Sequence, residues 1–165
     1  MSKKIAVLSN VNMNYVIRLL KKEHQVYEAE GYGNELGMLM NEQSSYHAFD
    51  PEITFLIMDL MELLGHELYL PDVREDENGS QGDLCVTAPR LRSWFEQMEC
   101  CIRPGQLYYL SDAWLWGPEI GALPDISLGQ QLEEQWLRGL VWLQQLHENV
   151  RIFPYRRMIV RLGEE

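Results

Sequence analysis

The chain has 165 residues, 46% of them hydrophobic, and a formal net charge of −11 with a sequence pI of about 4.8. The length suits one domain with a sizeable core. The acidic balance excludes a nucleic-acid binder built on a basic footprint and argues against docking on an anionic membrane.

The N-terminal MSKK leads into the apolar run IAVLS (5 to 9), which reads as a central parallel strand and is too short for a signal-peptide core. Asn10 and Asn12 offer side-chain oxygens to cap a helix over about 13 to 22, whose apolar stripe is expected to be Tyr15, Val16, Leu19 and Leu20, with Arg18, Lys21 and Lys22 opposite. HQVYEAE (24 to 30) alternates as an edge strand, a Gly-Tyr-Gly turn follows, and a helix forms around ELGMLMNEQ. SSYHAFDPE leads through Pro51 into ITFLIMD (53 to 59), the third strand. Residues 66 to 83 are polar, with Pro, Gly and dense charge, and read as a solvated insertion loop, either a plain insertion or a lid.

VTAPRLRSWFEQMECCIR (86 to 103) is helical, with Thr87 as N-cap, Pro89 in the first turn, and Leu91, Phe95, Met98 and Ile102 as core positions. Pro104-Gly105 ends it, and QLYYLSD (106 to 112) is the fourth strand. A Trp-, Gly- and Pro-rich loop then reaches Ser127, expected to cap a long helix repeating Leu128, Leu132, Trp136, Leu140, Leu143 and Leu146. VRIFPY (150 to 155) is the fifth strand, and RRMIVRLGEE begins a last helix. Strands alternating with helices, joined by right-handed crossovers, give an α/β three-layer sandwich with a five-stranded parallel sheet in the order 2-1-3-4-5, as in SGNH and flavodoxin-like folds.

Open parallel sheets bind ligands beyond the carboxyl ends of their strands. That edge collects Ser9, Asn10, Gly31, Gly33, Asp59, Ser111, Asp112 and Trp114 as candidate site residues. Asp59 and Asp112 either contact a ligand or cap the helices that follow them. Trp114 and Trp116 either pack their loop or receive an apolar arm. No metal-ligand spacing is present, and no cofactor is expected. GYGNELG lacks the spacing and the Lys of a phosphate loop, which weakens a nucleotide-binding reading. Cys85, Cys100 and Cys101, an odd number with an adjacent pair, are expected to be buried, reduced thiols of a cytoplasmic protein. His24 reads as exposed, His47 as packed and His147 as complementing a helix C-terminus; His66 opens the polar loop.

KIAVLSNVNMNYVIRLL, YEAEGYGNELGMLMNEQSSYHAFDPEITFLIMD and the closing VRIFPYRRMIVRLGEE together resemble the SGNH-hydrolase-like fold. More closely, they resemble the N-terminal domain of FkbH-like proteins of the haloacid dehalogenase superfamily. The resemblance covers about residues 3 to 59 and 105 to 165. It implies a domain that precedes a phosphatase-like domain carrying a DxDxT-type motif, which is absent here. The 165 residues are therefore expected to be a single domain forming the N-terminal part of a longer protein, or a stand-alone relative. The resemblance also implies an acyl carrier protein or the phosphatase-like domain as partner, a homodimer as a further option, and a role in natural-product or surface-polysaccharide biosynthesis.

The resemblance also poses a hydrolase question. An SGNH esterase needs a serine after the first strand, oxyanion donors, and a late Asp-x-x-His pair that activates the serine. Here LSNVN stands in place of GDS, leaving Ser9 as the candidate nucleophile and Gly33 as the candidate oxyanion glycine; LSDAW supplies Ser111 and Asp112 but no Asn, and no His follows Val150. The expectation is a non-catalytic domain serving substrate or carrier-protein recognition. The alternative is a small acyl-ester hydrolase with a degenerate triad.

Overall fold

The computed structural model of the chain describes residues 2–29, 31, 33–65, 84, 86–112 and 126–158. The expected polar insertion at 66 to 83, Cys85, Trp114 and Trp116 lie outside these residues.

Five strands, β1 (Lys4–Ser9), β2 (Gln25–Glu28), β3 (Ile53–Ile57), β4 (Leu107–Ser111) and β5 (Val150–Phe153), form one sheet in the order β2-β1-β3-β4-β5. Every pairing is parallel, and β1 meets β3 from Ile5↔Ile53 to Ser9↔Ile57. This is the topology read from the sequence. β1 and β3 sit at the centre because their apolar runs fill both faces of the sheet.

Successive strand residues point to opposite faces, and the two faces carry separate cores. Ala6, Leu8, Leu56, Tyr108 and Leu110 pack beneath α2 (Glu35–Met40), α3 (Ser45–Phe49), α5 (Pro89–Cys101) and α6 (Ile126–Leu146). Ile5, Val7 and Ile57 pack beneath α1 (Asn14–Leu20), with Phe55 and Tyr155 beside them. The first core is much the larger, and its centre is an aromatic cluster of Trp94, Phe95 and Trp136 between α5 and α6. Among the described residues no helix is long and apolar enough to cross a membrane.

Several local expectations are corrected. The buried stripe of α1 is Met13, Ile17 and Leu20, while Tyr15, Val16 and Leu19 face outward. Asn10 does not cap α1, whose N-cap is Met13 without a side-chain bond; Asn12 Oδ1 instead accepts from the Asn14 amide in a local turn. Thr87 does not cap α5: the cap position is Ala88, and Gln135 of α6 reaches across to accept from the amides of Thr87 and Ala88 at 3.0 and 2.8 Å. α6 already includes Ile126, so Ser127 lies within it. One short helix, α3, was not expected, and a second, α4 (Leu60–Leu64), is the helix that one of the two readings of Asp59 calls for. α3 starts at Ser44, whose Oγ accepts from the His47 amide, and ends at Asp50 in the left-handed region at φ +52°. α4 starts at Asp59.

At the amino ends of β3 and β4 lies a buried polar network. Tyr46 Oη and Thr54 Oγ1 are 2.7 Å apart, Gln106 Nε2 donates to both, and Tyr108 Oη donates to Gln106 Oε1 at 2.6 Å. Burial raises the pKa of both tyrosines, Tyr46 and Tyr108, so both stay neutral across the ordinary pH range.

Candidate functional site

The candidate edge lies at the carboxyl ends of β1, β3, β4 and β5, and its side chains bind mainly to one another's backbone. Ser9 is 7% exposed; its hydroxyl donates to Ile57 O at 2.7 Å and accepts from the Val11 amide at 3.2 Å. Asn10 forms a two-bond clamp with Asp59: Nδ2 donates to Asp59 O and Oδ1 accepts from Asp59 N, both at 2.8 Å. Ser111 is fully buried, and its Oγ accepts from the Met58 amide at 2.9 Å. Asp112 Oδ1 accepts from the Arg156 amide at 2.9 Å, while its own amide donates to Phe153 O. Each neighbouring pair in β1-β3-β4-β5 is thus joined just past its last strand residue by a side chain from the candidate set.

Asp59 has a second task. Its Oδ1 accepts from the amides of Met61 and Glu62 at 2.7 and 3.3 Å, so it is the N-cap of α4, one of the two roles open for it in the sequence. Asp112 plays the equivalent part for the helical turn at 155–158. Gly31 and Gly33 follow β2 at positive φ, +89° and +82°, where a side chain would be strained. The Gly33 amide donates to Glu35 Oε1 at 2.7 Å, so that amide is directed at a buried carboxylate within its own turn.

Two contributors were not named from sequence. Trp136 Nε1 donates to Ser111 O at 3.0 Å and anchors the end of β4 to α6. Tyr155 lies beside Asp59; burial, and then the Asp59 charge, raise its phenol pKa. Its place directly after the fifth strand, at the same edge as Asp59, is the signal that identifies it. The Tyr155 hydroxyl and the second carboxylate oxygens of Asp59 and Asp112 lie outside the hydrogen bonds described above, which leaves them able to meet a ligand.

The described histidines lie elsewhere. His24 accepts from the Lys3 amide before β2, His47 bonds to Leu39 O with Arg103 at 3.5 Å, and His147 precedes β5 with its Nε2 3.7 Å from Glu99. His24 and His147 immediately precede strands, and Arg103 precedes β4, so all three imidazoles sit toward the amino ends of the strands, opposite Ser9. Among the described residues no group of three or more His, Cys, Asp or Glu side chains is placed to hold a metal ion. Cys101 is buried, and burial raises its thiol pKa to about 11; Cys100 is exposed, which corrects the expectation that it is buried.

No family model matches the sequence, and no curated protein matches it. Among solved structures, the fold is similar to the N-terminal part of the protein BF1531 from Bacteroides fragilis, a crystal structure containing a phosphatase domain and complexed with Mg. The two share 15% identity with a TM-score of 0.65, over 98% of this chain and 43% of that one. At this identity the similarity is one of fold. The present chain spans less than half the length of the chain it matches.

Proposed function

We propose that this chain is a non-catalytic recognition domain of the FkbH-like kind. In this reading it binds a substrate or a carrier-protein-borne group at the carboxyl edge of its sheet, in the assembly of natural products or surface polysaccharides, and operates alongside a phosphatase-like domain. The observation that carries the reading is the state of Ser9. Its hydroxyl is held between a backbone carbonyl and a backbone amide, and the described imidazoles lie toward the other end of the sheet. A serine becomes a nucleophile when a base takes its proton; here that proton is directed at the Ile57 carbonyl, which is no base. The fold similarity to a phosphatase-containing protein supports the domain context, and the Asp59 carboxylate with the Tyr155 hydroxyl supplies the polar end of a binding edge.

The test is turnover of nitrophenyl acetate and butyrate by the purified chain and its Ser9→Ala variant. The expected result is background turnover for both. Turnover present in the parent and lost in Ser9→Ala would replace this reading with the esterase alternative.

A further inference from the structure

The charge of the chain is segregated. All four lysines lie within the first 22 residues, which hold Lys3, Lys4, Arg18, Lys21 and Lys22 and no acidic residue; the remaining 143 residues carry nine basic against 25 acidic side chains. The cations are thus concentrated in the segment that holds α1; Lys3 pairs with Glu52 and Lys21 with Glu28, which leaves Arg18 and Lys22 as the cations that α1 and the turn after it present outward.

The helical positions of α1 explain what that region offers. Met13, Ile17 and Leu20 point into the sheet. At 100° per residue the opposite side of the helix is Tyr15, Arg18 and Leu19, and Lys22 follows in the turn just beyond it. Tyr15 is 74% exposed and Leu19 44% exposed, and Arg18 and Lys22 are exposed with no ion pair among the described residues. Lys21, by contrast, pairs with Glu28 of β2. The outward stripe thus alternates an aromatic ring, a guanidinium, an aliphatic side chain and an ammonium over about two turns. A single exposed leucine needs no explanation, but an apolar pair interleaved with unpaired cations on an otherwise acidic protein is a composed surface.

From this we infer that the outer face of α1 docks an acidic amphipathic helix of a separate protein, one with an apolar ridge flanked by carboxylates. Tyr15 and Leu19 receive the ridge, and Arg18 and Lys22 meet the carboxylates. A second copy of this chain does not fit: a two-fold contact would set Arg18 and Lys22 against themselves. A nucleic acid or lipid surface fits less well, because both are extended polyanions that would face the acidic remainder of the chain as well. A seven-residue helix offers a small face, suited to a transient, salt-sensitive contact. The inference rests on the recognition reading only in treating the chain as a binding module.

The experiment uses the whole chain and a fluorescein-labelled, stapled helical peptide with a leucine ridge flanked by glutamates, followed by anisotropy at low and high salt. The expected result is saturable binding that weakens with salt. Arg18→Glu with Lys22→Glu, and separately Tyr15→Ser with Leu19→Ser, should each weaken it about tenfold or more, while Arg92→Glu on α5 leaves it unchanged. These positions are exposed, so circular dichroism should match the parent; should either double variant misfold, Lys22→Ala alone, just beyond α1, is the substitute and should weaken binding measurably. No saturable binding, equal binding of a lysine-flanked peptide, or binding indifferent to the α1 variants would overturn the inference. So would phosphatidylserine vesicles or a single-stranded oligonucleotide binding through the same four residues. Ester turnover dependent on Ser9 would remove the recognition reading while leaving the α1 result intact, so the two failures are distinguishable.

Discussion

Gly139 lies in the middle of α6, where glycine is unfavourable by about 1 kcal/mol relative to alanine. The reason for its presence is the neighbouring helix. A Cβ placed on Gly139 would stand 2.1 Å from Phe95 Cε2, 2.3 Å from Cζ and 2.5 Å from Cδ2, against about 3.5–4.0 Å for an unstrained carbon contact. Phe95 cannot turn aside, because it is fully buried with its ring 5.1 Å from Trp94 and 4.9 Å from Trp136. Gly139→Ala must therefore push α5 and α6 apart by more than an ångström or unseat the aromatic cluster. Overpacking of this kind costs about 1–3 kcal/mol and occasionally more, which outweighs the propensity gain of about 1 kcal/mol. We expect net destabilisation of about 1–2 kcal/mol, seen as a lower urea midpoint and a melting temperature lower by about 2–8 °C for a domain of this size. Because the clash is with one ring, Gly139→Ala should cost less in a Phe95→Leu background, so a double-mutant cycle should show a coupling of about 1 kcal/mol. Stabilisation by Gly139→Ala, as propensity alone would give, refutes the close approach.

Other expectations follow from the same contacts. Asn10→Ala removes both bonds of the clamp to Asp59 and should lower stability by about 1–2 kcal/mol in urea unfolding; an effect within about 0.3 kcal/mol would show that the clamp contributes nothing. Stability should be flat to about pH 9 and then fall, because Cys101, Tyr46 and Tyr108 have folded pKa values above their ordinary ones. Each favours its neutral form in the fold, so its contribution is complete below the unfolded pKa and lost as pH rises toward the folded one. Urea midpoints at pH 8 and 10.5 check this, and equal values would contradict it. In a Cys85→Ser background, Ellman's reagent should modify one thiol of the native chain, Cys100, and two after denaturation; rapid modification of both in the native state would contradict the burial of Cys101.

The sheet was legible because IAVLS and ITFLIMD are apolar on both faces, a pattern that belongs to central parallel strands. The bounds of the short helices were not, although a helix after Asp59 was one of the readings open for that residue. α3 and α4 have five residues each, below the length at which periodicity means anything, and they exist because Ser44 and Asp59 cap them and the core receives Tyr46, Leu60 and Leu64. The face of α1 was misread for a related reason. Tyr15, Val16, Ile17, Leu19 and Leu20 make five of its seven residues apolar, so two competing stripes fit, and the one reaching Ile5, Val7 and Ile57 won. Positions of the candidate site could be read from the ends of strands. Their bonding could not, since Asn10 meets a residue 49 positions away, and only the register of β1 on β3 brings the two together.

The recognition reading requires that Ser9 be a structural hydroxyl. A fluorophosphonate reacts covalently with a serine only when that serine is activated, and intact-mass measurement of the treated chain reads the outcome directly. The expected result is an unmodified parent chain, together with a Ser9→Ala variant destabilised by about 1 kcal/mol through loss of the bond to Ile57 O. A stoichiometric adduct mapped to Ser9 would contradict it.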